Sequence, residues 1–167
     1  GAVAISERVL AEVNPTLIGW RSIQDEGSIA LDNRSPFHLD SRRFEIATSC
    51  VPLLAGLRCS LNLLEAEGTE IERLKTIQKW SSQLWRELNS LEGVTPLLNG
   101  PPPSGLVSFT LPQGKSTKEI IKLLGKEDLW IRALESPKCL RACLHITSET
   151  QEIKDLIKAI EKIAIMH

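Results

Sequence analysis

Cys139-Leu140-Arg141-Ala142-Cys143-Leu144-His145-Ile146 alternates between two kinds of side chain, and the rest of the sequence can be read outward from it. With the two-residue period of a strand, Leu140, Ala142, Leu144 and Ile146 share one face, and Cys139, Arg141, Cys143 and His145 share the other. The apolar face needs cover, which amphipathic helices supply. The opposite face carries an arginine in mid-strand between small, soft side chains, and a guanidinium is not buried without a partner. Arg141 is therefore a candidate anion ligand, because its fork matches a carboxylate in two parallel hydrogen bonds. A salt bridge to a neighbouring glutamate, or a solvated position on an uncovered sheet face, would account for it as well. Arg132 closes the preceding strand-like run at 129–132, and a short connection through Pro137 can set it beside Arg141 in an antiparallel pairing. Two adjacent cations repel, so an anion between them would relieve both.

Further strands are expected at 94–98 and at 105–111, after the break at Pro101, Pro102 and Pro103. Four capped helices complete the pattern. The first is announced by Thr48 and Ser49 and by Pro52 in its first turn; it carries Val51, Leu54, Ala55, Arg58, Leu61 and Leu64 on one face and stops at Gly68. Thr69 with Glu72, and Ser116 with Glu119, have the spacing of capping boxes. They open a helix with Ile71, Leu74, Ile77, Ser81, Leu84, Trp85 and Leu88 on its inner face, and a shorter one over 118–124. A last helix from Ser148 repeats Ile153, Leu156, Ile157, Ile160 and Ile163 at helical spacing. The order of elements predicts an α/β (α+β) sandwich, a mixed or antiparallel four-stranded sheet covered by helices on one face. The opening residues 1–5 read as a buried strand with nothing nearby to pair with it, and 16–43 shows no sustained period of either kind.

Composition narrows the function. The chain has 167 residues, 42% of them hydrophobic and 25% charged, enough for one well-packed core. Its 20 basic and 21 acidic residues leave a net charge of −1, which argues against a nucleic-acid partner. No apolar run is long enough to span a membrane and no secretory segment is evident, so a cytoplasmic location is expected. Cys50, Cys59, Cys139 and Cys143 lack metal-ligand spacing and are expected as buried, reduced thiols, with no metal site. Trp20 and Arg21 suit either a site mouth or loop packing, while Trp80 and Trp85 read as packing residues.

A second possible anion point is the Ala47-Thr48-Ser49 turn, where free backbone N–H groups and two hydroxyls coincide at a helix start. Most hydroxyl residues at such places are ordinary caps. Together with the opening Gly1-Ala2-Val3-Ala4-Ile5, the segments Asn14-Pro15, Gly19-Trp20-Arg21-Ser22, Arg43-Phe44-Glu45-Ile46-Ala47-Thr48-Ser49, Gly105-Leu106-Val107-Ser108-Phe109, Ile131-Arg132 and Cys139 to Cys143 resemble, in order and spacing, the C-terminal portion of class V aminotransferase-like enzymes. These are pyridoxal-phosphate (PLP) proteins of fold type I, and the resemblance covers essentially the whole length. It is nearest to the cysteine/cystine C–S lyase branch, which is related to the cysteine desulfurases.

The resemblance implies that Arg141 binds the α-carboxylate of an amino-acid substrate with Arg132 assisting, and that Thr48 reaches the cofactor phosphate of the partner subunit in a homodimer. It implies residues 1–44 as a remnant of the large PLP-binding domain and active-site loop, and 45–167 as the small C-terminal domain. The pyridine ring of such enzymes serves as an electron sink for charge at Cα. Elimination would release a thiol or persulfide and leave pyruvate and ammonia, whereas a transaminase of the same family would return the proton to the cofactor. The family's cofactor lysine belongs upstream, and no lysine here stands in that motif, so no catalytic residue is expected in this chain. It is expected to be a fragment that lacks the N-terminal large domain, binds no cofactor by itself and is inactive alone. A free-standing module that binds small carboxylates through Arg132 and Arg141 is the alternative.

Overall fold

The computed structural model describes residues 2–24, 37–112 and 116–165, in two compact units, Gly1–Ser60 and Leu61–His167. The second unit contains the sheet. Its strands are β1 (Thr95–Pro96), β2 (Leu106–Thr110), β3 (Arg132–Glu135) and β4 (Lys138–Cys143), in spatial order β1-β2-β4-β3 and antiparallel throughout. β4 is thus an inner strand, paired on both edges. Val107 opposes Ala142, and Phe109 opposes Leu140; all four are buried and point to one face.

Helices close that face. Numbered along the chain, the helices are α1 (Glu7–Glu12), α2 (Val51–Ala66), α3 (Glu70–Ser90), α4 (Thr117–Gly125) and α5 (Thr150–Ile165), and α3, α4 and α5 are the ones that close it. α3 packs on β1 and β2, α4 on β3 and β4, and α5 on α3 and α4. Leu84 and Leu88 of α3 meet Ile153 and Ile160 of α5 and Leu124 of α4 in a single apolar cluster with the sheet residues. Both expected capping boxes form: the Thr69 N–H donates to Glu72 Oε2 at 2.8 Å, and the Ser116 N–H to Glu119 Oε2 at 2.8 Å. The reciprocal bonds hold the Glu72 carboxyl below its usual range, chiefly through the Thr69 backbone N–H. Gly68 ends the turn after α2 at φ +102°, a conformation that favours glycine.

The structure departs from the sequence reading at several elements: β1 is Thr95–Pro96 rather than 94–98, and Ile71 and Leu74 of the expected inner face of α3 are exposed. β3 begins at Arg132 rather than ending there; Leu129 and Ile131 are half-buried connector residues packed against the core, so their apolar character reflects packing rather than pairing. β4 stops at Cys143, because the His145 N–H turns back onto Ser148 Oγ at 2.9 Å and the Ser148 N–H onto the His145 carbonyl at 3.1 Å. Ser148 is consequently committed to that turn, and α5 starts at Thr150, with Glu152 accepting the Glu149 N–H. Residues 2–5 form no strand, and Val3 is 80% exposed; Gly1 lies outside the described residues. Finally, α2 buries no residue: of its expected inner face only Leu64 is even half-buried. Its leucines lie on more than one side of the helix, so their spacing identifies a helix without identifying a buried stripe.

The first unit is organised around polar groups instead. Ser22 is fully buried with its bonds made: its hydroxyl donates to the Glu45 carbonyl at 2.7 Å and accepts the Gly19 N–H at 3.1 Å, while its own carbonyl accepts the His38 N–H. Arg43 spreads its guanidinium over the carbonyls of Leu10, His38 and Leu39. Gly19 packs so closely that a Cβ there would overlap the Ile46 carbonyl oxygen. Asp40 precedes a 3-10 turn, Ser41–Phe44, where the Arg42 side chain, together with its backbone N–H, holds the Asp40 carboxyl down at about 2. Of the segment 16–43, residues 25–36 lie outside the described residues.

Two outcomes are expected. Leu84→Ala should lower unfolding stability by about 3 kcal/mol in urea denaturation, because Leu84 is fully enclosed where α3 meets α5. Gly19→Ala should accelerate amide hydrogen exchange at Ser22 and His38 by roughly tenfold or more, since relieving the overlap with Ile46 breaks the bonds around Ser22.

Candidate functional site

The sheet register sets the geometry of the open face. With Leu140 and Ala142 turned into the core, Arg141 must project from the other side, and the register places Ser108 of β2 opposite it on one edge and Arg132 of β3 on the other. Directly opposed residues have Cβ atoms about 5 Å apart, so the two guanidinium groups start from neighbouring anchor points. A row of Cys143 and Leu106 flanks them on one side, and a row of Cys139 and Leu134 on the other. Arg141 is half-buried and Arg132 exposed. Among the described residues, neither makes an ion pair or a side-chain hydrogen bond. The salt bridge that the sequence allowed for Arg141 is thus not made there.

Like charges directly opposed across a ladder are unfavourable, by up to about 1 kcal/mol at a solvated site. A carboxylate that accepted from either fork would remove that repulsion and gain charge-assisted hydrogen bonds. The arrangement can therefore hold a small carboxylate on a rigid sheet. Among the described residues, its register neighbours include thiols but no histidine or carboxylate, and His145 lies beyond the strand in the turn, with Nδ1 3.1 Å from Thr147 Oγ1.

Thr48 belongs to the first unit and the arginine pair to the second. It is exposed and lies three residues before α2 begins. The Leu54 N–H donates to the carbonyl of Cys50, so Cys50 occupies the helix-start position expected for Thr48 and Ser49. Neither hydroxyl is consumed by capping. The cysteines also differ from expectation: Cys139 is buried, but Cys50, Cys59 and Cys143 are exposed free thiols. Their strand and helix positions place them on faces that the described chain leaves open.

Arg21 proves to be internally engaged, with Nε 3.7 Å from Glu45 Oε2 and its guanidinium 5.6 Å from the Trp20 ring centroid. Sequence reasoning did not single out Ser22 or Arg43. Their partners are main-chain carbonyls, which leave no trace in side-chain identity, and only their places inside the quoted family segments marked them.

No protein-family model and no curated protein matches the sequence. Solved structures do. The cystine C–S lyase C-DES is 35% identical with a TM-score of 0.85, over 94% of this chain and 40% of its own. It is known with glycine covalently linked to its PLP cofactor, and in complex with its reaction product, cysteine persulfide. A cysteine desulfurase from Thermococcus onnurineus NA1 shares the fold at 22% identity and a TM-score of 0.81, over 96% of this chain and 42% of that one. Another, from Escherichia coli, shares it at 17% identity and a TM-score of 0.79, over 94% and 40%. The chain spans about two-fifths of the length of these proteins. With the expected sheet, the quoted segments in order and this similarity over nearly all its length, the chain belongs to the class V aminotransferase-like, fold-type-I family of PLP enzymes, in the branch of the cystine C–S lyase and the cysteine desulfurases.

Proposed function

We propose that this chain is the C-terminal portion of a PLP-dependent enzyme acting on amino acids, and that the reaction is β-elimination from cysteine or cystine. The observation that carries this reading is the directly opposed pair Arg132 and Arg141, without an internal counter-ion among the described residues. Arg141, anchored on an inner strand, binds the substrate α-carboxylate; Arg132, on the edge strand, assists. A strand anchor fixes the direction of the guanidinium better than a loop, so a bound carboxylate would hold Cα in one orientation. Thr48, whose hydroxyl is free of any capping bond, reaches the cofactor phosphate of a partner subunit in a homodimer. PLP, when bound, supplies the electron sink for charge at Cα.

In this reading residues 1–44 end the large domain and 45–167 form the small one, and the enzyme is cytoplasmic. The cofactor lysine lies on the large domain, so the chain alone is inactive. The cystine C–S lyase activity and cysteine persulfide product named for C-DES favour elimination over transamination, which would use the same carboxylate clamp.

The test uses the polypeptide that joins this chain to a cofactor-binding domain. Arg141→Ala should raise KM for L-cystine roughly a hundredfold with a smaller effect on kcat, and Arg141→Lys should recover only part of it, because an ammonium cannot reproduce the fork. An unchanged KM would overturn the assignment. The 167-residue chain with PLP and L-cystine should release no pyruvate; release would overturn its inactivity. Upstream codons for a lysine preceded by histidine in a glycine-rich context support the reading, whereas an in-frame stop codon there defeats it.

A further inference from the structure

A cleft of about 640 Å³ opens in the second unit between α5 and the connection from α4 to β3. Its floor is apolar and belongs to the core: Leu84, Ala142, Ile153 and Leu156. At its mouth stands Trp130, 76% exposed, with Asp128 two residues before it. An indole this open has a face available to solvent, and a cation over an indole face is attracted by the ring quadrupole.

Three independent features give this mouth the same electrostatic sign. Two carboxylates of α5, Glu152 and Asp155, line the cleft. Asp128 adds a full carboxylate, set by a left-handed backbone at φ +56°, and among the described residues it has no ion pair. Trp130 adds the ring. In the same lining, Lys162 Nζ lies 3.7 Å from Glu127 Oε1, so that pair is already neutralised within the chain. The cleft also has a positive element, Lys158 on α5, which would oppose a second cation.

We propose that this cleft binds an organic cation with an apolar stem, an alkylammonium or alkylguanidinium. The charged head lies between the Asp128 carboxylate and the Trp130 face, and the stem covers the apolar floor. This chemistry has two sources: a free amine, or a lysine or arginine side chain of a polypeptide. The site does not involve Arg132, Arg141 or Thr48, so it stands whether or not the reading of those residues holds.

The test is a titration of the uniformly 15N-labelled 167-residue chain, followed at its indole N–H signals, with Trp130→Phe assigning the Trp130 signal. The probes are n-butylguanidinium as a free cation, a capped tripeptide with a central arginine as a polypeptide source, and n-butyrate as the opposite charge. Saturable shifts of the Trp130 signal are expected with the cations and not with butyrate. Saturation by the tripeptide at lower concentration than by n-butylguanidinium identifies a polypeptide ligand, and the reverse identifies a free amine. Asp128→Asn, which tolerates the left-handed backbone, should weaken binding roughly fivefold, and Lys158→Gln should strengthen it. Equal binding of butyrate, no saturable shift with either cation, or an unchanged affinity in Asp128→Asn would each overturn the proposal.

Discussion

β4 can satisfy its sequence in only one rotational setting. It is hydrogen-bonded on both edges, so its register is fixed twice, by β2 and by β3. Leu140 and Ala142 occupy the core in this setting, and Arg141 leaves it. A one-residue slip would exchange the faces, exposing Leu140 and driving a guanidinium into the apolar cluster. An unpaired buried charge costs far more than the repulsion of two solvated arginines, which is at most about 1 kcal/mol. The packing of two apolar side chains therefore decides where the arginine points, and the pairing with β3 decides that a second arginine stands beside it.

The same logic explains which features the sequence disclosed. β4 was legible because alternation is a property of neighbouring residues. The capping boxes at Thr69 and Ser116 were legible for the same reason, since the groups that bond are three residues apart. Features that depend on distant main chain were not. The start of β3 follows from what opposes Cys139 and Leu140, and an apolar connector such as Leu129 to Ile131 looks like a strand until that partner is known. Cys50, not Thr48, opens α2 because of where the Cys50 carbonyl points, a backbone property invisible in side-chain identity. For α2 the periodicity was real but indicated no cover, because helical spacing states how residues share a face and not what lies against it.

Two kinds of organisation coexist in the chain. The Leu61–His167 unit is held by apolar contacts that tolerate substitution where volume is kept. In the Gly1–Ser60 unit, single polar side chains tie several main-chain groups at once: the Ser22 hydroxyl joins the Glu45 carbonyl and the Gly19 N–H, and Arg43 spans three carbonyls. Such positions are less forgiving. Lysine at 43 would keep the charge but lose the planar fork that reaches three separate acceptors.

That contrast bears on how the family segments should be weighed. Gly19, Ser22 and Arg43, which lie in the quoted stretches, all have architectural work in this structure: a close approach to Ile46, a four-way backbone junction and a carbonyl clamp. Their presence in a relative therefore testifies to a common fold and says little about the reaction. Arg132 and Arg141 differ in kind, since nothing in the described residues needs their charge and their juxtaposition is mildly unfavourable in itself. A feature that the fold does not require, and that a bound carboxylate would turn from unfavourable to favourable, is what the proposed function draws on. The family rests on similarity over nearly the whole chain, while the proposed carboxylate binding rests on the arginine pair alone.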